Sequence, residues 1–187
     1  MNPVIEAIKN RRSTRKYAPE MLSEEHLTAI LDAGLWAPSA HNDQGWHLTV
    51  LRNKEMIEAL NTDTKAALLS SPLDWARAMG QSPHFHVFYH APVVIVVSGR
   101  NSALSPLADC CAAIQNMLVA AESLSIGSCW IGLCRNLFAK PDMLKKWAGL
   151  LKLPQGHTPQ FCVTLGNKTG FPPKPPNRAE NTVNYIN

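Results

Sequence analysis

Five cations stand within eight positions near the start of the chain, in K-N-R-R-S-T-R-K at residues 9 to 16. Such a run serves as a solvated face, a nucleic-acid patch or a tight anion site, and the anion site is the reading that carries chemistry. Two further basic residues, Lys174 and Arg178, lie in a proline-rich stretch near the other end. Between them come a polar loop, A-P-S-A-H-N-D-Q-G-W-H-L at 37 to 48, and a glycine-flanked apolar segment, S-C-W-I-G at 128 to 132. A polar loop between two apolar elements is a common place for ligand chemistry.

Other chemistries lack their residues. Neither G-x-G-x-x-G nor G-x-x-x-x-G-K-[ST] occurs, so Rossmann and P-loop readings fall away, and without G-x-S-x-G no nucleophile elbow is present. His84, His86 and His90 do not form a metal site on one element: a strand aligns only the first two, a helix only the last two. Cys110 and Cys111 diverge on a helix, and Cys129 with Cys134 lacks a second pair at zinc spacing, so these read as small buried hydrophobes. No metal is expected.

The elements that position the candidates follow from composition and pattern. With 187 residues, 45% hydrophobic and 17% charged, the chain has the make-up of one globular domain, residues 1 to 187, with core enough to fold without disulfides. The net charge is +4. An odd count of five cysteines, and a glutamate where a secretory signal needs an apolar core, give the expectation of a cytoplasmic protein with reduced thiols. The longest apolar run, 91 to 97, is far below the roughly 20 residues that span a bilayer, so no membrane partner is expected.

Asn2 and Pro3 cap a first helix that ends at the basic run, and Ser23 with Glu24 and Glu25 opens a second that stops by Pro38. A strand at 48 to 51 and a helix at 54 to 70 follow. Residues 71 to 90 lack clear periodicity and read as a lid or variable insertion. The β-branched run 92 to 98 is a strand buried on both faces, central in a sheet. From Ser105 and Pro106 to about residue 125 a helix is apolar or small nearly all round, which predicts enclosure partly by a second subunit and hence a homodimer. Gly127 is expected to stop that helix, before a strand at 129 to 133, a helix from Pro141 and a last strand at 160 to 165. Residues 166 to 187 have little core content and read as a tail that wraps another surface.

Taken together, I-K-N-R-R-S-T-R-K-Y (8 to 17), W-A-P-S-A-H-N-D-Q-G-W-H-L (36 to 48), A-P-V-V-I-V-V (91 to 97), D-C-C-A-A-I-Q-N-M-L-V-A-A-E-S-L-S-I-G-S-C-W-I-G (109 to 132) and G-F-P-P-K-P-P-N-R with its trailing V-N-Y form a pattern. In these pieces, which cover almost the whole chain except 55 to 90, the sequence resembles the nitroreductase family of FMN-dependent oxidoreductases. The resemblance implies an α+β fold, a mostly antiparallel central sheet flanked by helices, and an intertwined homodimer with FMN at the subunit interface. It also implies that the tail, 166 to 187, wraps the partner subunit.

Carried onto this sequence, the resemblance implies that Arg11 and Ser13, with Arg12 adjacent, bind the FMN phosphate and ribityl chain, and that Arg15 approaches the pyrimidine edge of the ring. A guanidinium fork suits a phosphate dianion, and a cation beside N1 and the C2 carbonyl stabilises the charge of reduced flavin. Arg178 and Lys174 would complete the phosphate site. Pro38, Ser39 and Ala40 would line the ring from the partner subunit, with Asn42 and Gln44 hydrogen-bonding nearby and His41 facing the substrate. The backbone at Trp130, Ile131 and Gly132 would run beside flavin N5. Gly45 departs from the family, where proline is usual before the tryptophan, and implies a more flexible loop.

The implied reaction is ping-pong: NADH or NADPH gives hydride to flavin N5, then a nitroaromatic, quinone or similar electrophile takes its place and accepts two electrons. No catalytic side chain is needed, because the flavin carries the chemistry. Alternative readings within the family are dehalogenation, dehydrogenation or flavin cleavage; outside it stand a non-catalytic FMN carrier or sensor, and a nucleic-acid binder using the basic run.

Overall fold

A computed structural model describes residues 2–170 and 174–186; Phe171, Pro172 and Pro173 of the tail motif lie outside the described residues. Helix α1 (Pro3–Asn10) begins where Asn2 Oδ1 accepts the Val4 N–H, and α2 (Glu24–Leu35) begins where Ser23 Oγ accepts the His26 N–H. Strand β1 (Trp46–Leu51) follows the polar loop, and α3 (Lys54–Leu68) is capped by Asn53. Next come α4 (Asp74–Gln81), β2 (Val93–Arg100), α5 (Pro106–Ser123), β3 (Ile126–Ile131), α6 (Arg135–Phe138), α7 (Pro141–Leu150) and β4 (His157–Asn167).

The four strands form one sheet in the order β1-β2-β4-β3, antiparallel at every pairing. As the β-branched run predicts, β2 is central and buried along nearly its whole length. Its Val93, Ile95 and Val97 meet α2 and α5 on one face of the sheet. Val94 and Val96 meet α3, α6 and α7 on the other, around Trp147, whose Nε1–H donates to Asp63 on α3 at 2.9 Å. Two buried faces make this a three-layer α+β fold.

Three expectations are corrected. Residues 71 to 90, read as a lid or variable insertion, contain a helix and core residues: α4 packs on α3, Gly80 lying so close that a Cβ there would meet Lys65 O at 2.8 Å, and Val87 and Phe88 are wholly buried. The apolar positions of α4, Trp75, Ala76, Ala78 and Met79, do recur at helical spacing, but over only eight residues between Pro72 and Pro83. Gly127 does not stop α5; Ser125 takes the left-handed position at φ +61°, and Gly127 pairs with Gly166 inside the sheet. The last strand starts earlier, at His157, and tolerates Pro159 because the register slips by one residue there. Helix α5 packs on α1, α2, β2 and β3, burying Asp109, Cys110, Ala113, Ile114, Met117, Leu118 and Ala121 and leaving its other positions partly or fully exposed in the single chain.

Candidate active site

The pair Gly127 and Gly166 forms a floor beneath the chain that leaves the basic run. A Cβ on Gly127 would lie 2.8 Å from Thr14 Cγ2, and one on Gly166 would lie 2.8 Å from Tyr17 Cδ1. Over this floor the Thr14 N–H donates to Ser128 O at 2.9 Å, and Tyr17 O–H lies 2.8 Å from both Thr14 O and Thr164 Oγ1. Burial raises the Tyr17 phenol well above its ordinary pKa, so it stays neutral. Residues 11 to 15 are thereby fixed against β3.

Above them two adjoining cavities open. The larger, about 800 Å³, is lined by Arg12, Ser13, Arg15, Lys168 and Lys174 among others, with Glu122. The smaller, about 270 Å³, is lined by Arg11, Arg12, Ser13, Arg15, Lys174, Pro176 and Arg178. The tail thus brings Lys174 and Arg178 onto the basic run, 163 positions apart at Arg11 and Lys174. Among the described residues none of Arg11, Arg12, Arg15, Lys174 and Arg178 pairs with a carboxylate, whereas Lys168 is bound to Glu122 at 2.7 Å. Arg12 Nε is buried with no partner, while its Nη1 donates to Lys9 O and Arg11 O. Cations that line one cleft without carboxylate partners favour an anionic ligand there. Arg15 differs from its neighbours: its Nε–H donates to Tyr89 Oη at 3.3 Å, and that hydrogen bond is the main cause of a raised guanidinium pKa.

Pro38, Ser39, Ala40, His41, Asn42 and Gln44 do not line this cleft in the same chain. They form a separate exposed loop at the N-terminal end of α5. His41, Asn42 and Gln44 all hold left-handed backbones, φ +53°, +55° and +48°, a strained run for residues with side chains. The loop is nevertheless tied down. The Ala40 N–H donates to buried Asp109 Oδ1 at 3.0 Å, the Gln44 N–H to Ser39 Oγ at 2.9 Å and the Arg100 N–H to Gly45 O at 2.8 Å, while Arg100 pairs with Asp43. Gly45 serves close approach: a Cβ there would lie 2.9 Å from that of Ala103. The flexibility implied by a glycine in the family's proline position is therefore opposed by these ties.

Trp130 and Ile131 end β3 and Gly132 follows it; none of the three lines either cavity. The Trp130 side chain packs edge-on against Phe161 at 5.1 Å, and Ile131 faces the second core. Gly132 is exposed, with nothing within 4 Å of a Cβ. Sequence reasoning missed Asp109, Arg100, the glycine floor and the contact of Tyr89 with Arg15. Asp109 lay within a quoted motif, and an acidic residue in the first turn of an otherwise apolar helix was the available signal.

His86 and His90 do come together, their ring centroids 4.0 Å apart, joined by Glu58 from α3 rather than by His84. The three donor atoms lie within 4.8 Å of one another. His86 Nδ1 accepts the Phe88 and His90 N–H groups at 3.1 and 3.3 Å, so the neutral ring carries its proton on Nε2, which donates to Glu58 Oε1 at 3.2 Å. A ring nitrogen that must keep its proton is a poor metal ligand. This cluster is a structural knot.

A three-layer α+β fold with an antiparallel sheet and a cationic cleft at the edge of β3 defines the class. The chain belongs to the nitroreductase family, whose model matches residues 8–167. A nitroreductase from Bacteroides fragilis, crystallised with bound FMN, is 34% identical, superposes with a TM-score of 0.89, and each chain covers 100% of the other. A nitroreductase from Desulfitobacterium hafniense, also with bound FMN, is 30% identical with the same TM-score and the same full coverage. An FMN reductase (NAD(P)H) of Bacillus subtilis is 28% identical over 193 aligned positions, 99% of this chain and 74% of that one.

Proposed function

We propose that this chain is an NAD(P)H-dependent FMN oxidoreductase that passes hydride to nitroaromatics, quinones or similar electrophiles in two half-reactions at one site. The observation that carries the reading is the cleft, lined by five cations that have no carboxylate partner among the described residues. The donor set fits FMN: a phosphate dianion needs guanidinium and ammonium groups, and a ribityl chain needs a neutral hydroxyl partner such as Ser13. FMN-bound relatives at 34% and 30% identity support the same ligand.

Arg11, Arg12 and Ser13, with Lys174 and Arg178 from the tail, hold the phosphate and ribityl chain. Arg15 sets a positive charge at the pyrimidine edge of the ring. The backbone at Trp130, Ile131 and Gly132 runs alongside. When bound, FMN supplies the two-electron chemistry, taking hydride from NADH or NADPH and giving it to the acceptor.

The working form is an intertwined homodimer with FMN at the subunit interface. Val4, Ile5 and Ile8 of α1, with Leu35 and the 79%-exposed Trp36 after α2, leave an apolar surface uncovered, and apolar patches of this kind mark interfaces. The loop at 38 to 44 then lines the ring of the partner's site, with His41 toward the substrate, and the tail wraps the other subunit through Val183, Tyr185 and Ile186, all exposed in the single chain. Among the described residues no helix is long and apolar enough to cross a membrane. Five free cysteines, four of them buried, support a cytoplasmic setting.

The test is a visible absorption spectrum of the purified protein, then anaerobic addition of NADH and, separately, NADPH. The expected outcome is flavin absorbance that bleaches with one or both donors and returns with a nitroaromatic or quinone. Flavin that stays oxidised overturns the reductase reaction, and a colourless protein that FMN cannot reconstitute overturns the site. Steady-state lines that intersect rather than run parallel overturn the ping-pong order.

A further inference from the structure

We propose that Tyr89 is a positioning residue for the site, fixing the guanidinium of Arg15 through its phenol oxygen so that the remaining donors point into the cleft. This rests on the FMN reading of that cleft. An arginine has five N–H donors in a rigid fork. The Arg15 Nε–H is committed to Tyr89 Oη at 3.3 Å, and its guanidinium carbon lies 5.8 Å from the Tyr89 ring centre. Four N–H donors on the two Nη atoms are left for a ligand. Arg15 is otherwise an exposed side chain with no carboxylate to hold it, so without Tyr89 its charge is free to swing away.

Tyr89 is itself held by a built device. Tyr89 and His90 are consecutive residues with left-handed backbones, φ +53° and +55°, a conformation that persists only where surroundings over-determine it. His86 supplies that constraint: its carbonyl accepts the Tyr89 N–H at 3.0 Å, and its Nδ1 accepts the N–H groups on either side. Glu58 orients the His86 ring, Asn61 Oδ1 accepts the Val87 N–H at 2.9 Å, and the buried side chains of Val87 and Phe88 anchor the turn in the core. Phe85 braces the Tyr89 ring edge-on at 6.1 Å. The knot thus orders a strained turn that presents the half-buried Tyr89 phenol to Arg15.

The experiment uses the FMN-loaded protein, with the dissociation constant for oxidised FMN read from flavin fluorescence and the midpoint potential by spectroelectrochemistry. Tyr89→Phe keeps the ring and its packing. It is expected to change the affinity for oxidised FMN by less than about twofold, while the preference for reduced over oxidised FMN falls about fivefold, the size of one hydrogen bond. That ratio is a drop of about 20 mV for a two-electron couple. Arg15→Ala is expected to lower the potential further, and Tyr89→Phe added to Arg15→Ala to lower it no more.

An unchanged potential in Tyr89→Phe, with Arg15→Ala effective, overturns the proposal and leaves the FMN reading standing. The same drop from Tyr89→Phe in the absence of Arg15 overturns it too, because the phenol then acts on its own. An ineffective Arg15→Ala removes the charge that Tyr89 was to position, and a protein that binds no FMN takes both readings down together.

Discussion

The cleft and the Glu58–His86–His90 knot are both tight gatherings of titratable side chains, and they are built in opposite ways. In the knot the buried ring is fully engaged: His86 Nδ1 accepts two N–H groups and Nε2 donates to Glu58. In the cleft the one carboxylate, Glu122, is taken by Lys168, while Arg11, Arg12, Arg15, Lys174 and Arg178 have no carboxylate partner among the described residues and Arg12 Nε is buried unpaired. Unpaired charge in a concave space costs stability in the free protein and is repaid on binding, whereas a satisfied cluster has nothing left to offer a ligand. The comparison teaches that ligand sites are recognised by what their groups lack, not by which residue types gather.

The largest effect is expected where the cleft is broken. Arg11→Ala should weaken FMN binding about tenfold to a hundredfold, the range for hydrogen bonds to a charged group, while Lys9→Ala, outside both cavities, should leave it unchanged. Fluorescence titration of the apoprotein measures both, and equal small losses would break the distinction between site and surface. In the knot the loss should appear as stability instead. His86→Ala leaves the Phe88 and His90 N–H groups without their acceptor and should cost about 2 kcal/mol in urea unfolding, with FMN affinity kept within about threefold.

Gly127→Ala should move both quantities, because the added methyl presses on Thr14 and on Gly166 O beneath the basic run. A loss of about 1 kcal/mol in stability, together with weaker FMN binding, is the expected outcome. Stability lost with FMN affinity intact would detach the glycine floor from the site.

The smallest effect is the response to pH. Burial, then the neighbouring His90, lower the His86 pKa despite Glu58, with Lys65 acting in the same direction as His90. The unfolded chain therefore binds the proton first, near pH 6.5, and stability falls as pH drops from there until the folded His86 titrates in turn. His47, lowered by burial and by His157, adds in the same direction. Unfolding measured at pH 7.5, 6.5 and 5.5 should show this slope, reduced in His86→Ala.

Much of the fold was legible because it rests on local rules. Asn2 and Ser23 cap helices where side-chain oxygens meet free N–H groups, and the unbroken β-branched run of β2 had to be central. Residues 71 to 90 were misread, since the helical spacing of α4 spans only eight residues and the turn at 86 to 90 depends on Glu58 and Asn61 from another helix. Gly127 was misread because a glycine after a helix has two uses, a left-handed cap or a close approach, and only the position of Thr14 and Gly166 selects the second.

For the site, the sequence by itself determined which side chains carry charge and that the first helix delivers five cations to its end, because residue type and helix capping are local properties. Only the tertiary structure decided that Lys174 and Arg178 return to Arg11 and Arg12, that Asp109 and Arg100 hold the strained loop, and that Tyr89 reaches Arg15 across 74 positions. Those contacts join segments whose separation no periodicity encodes; they exist because two glycines let the basic run lie flat on the sheet and because a buried histidine ties a turn beside it.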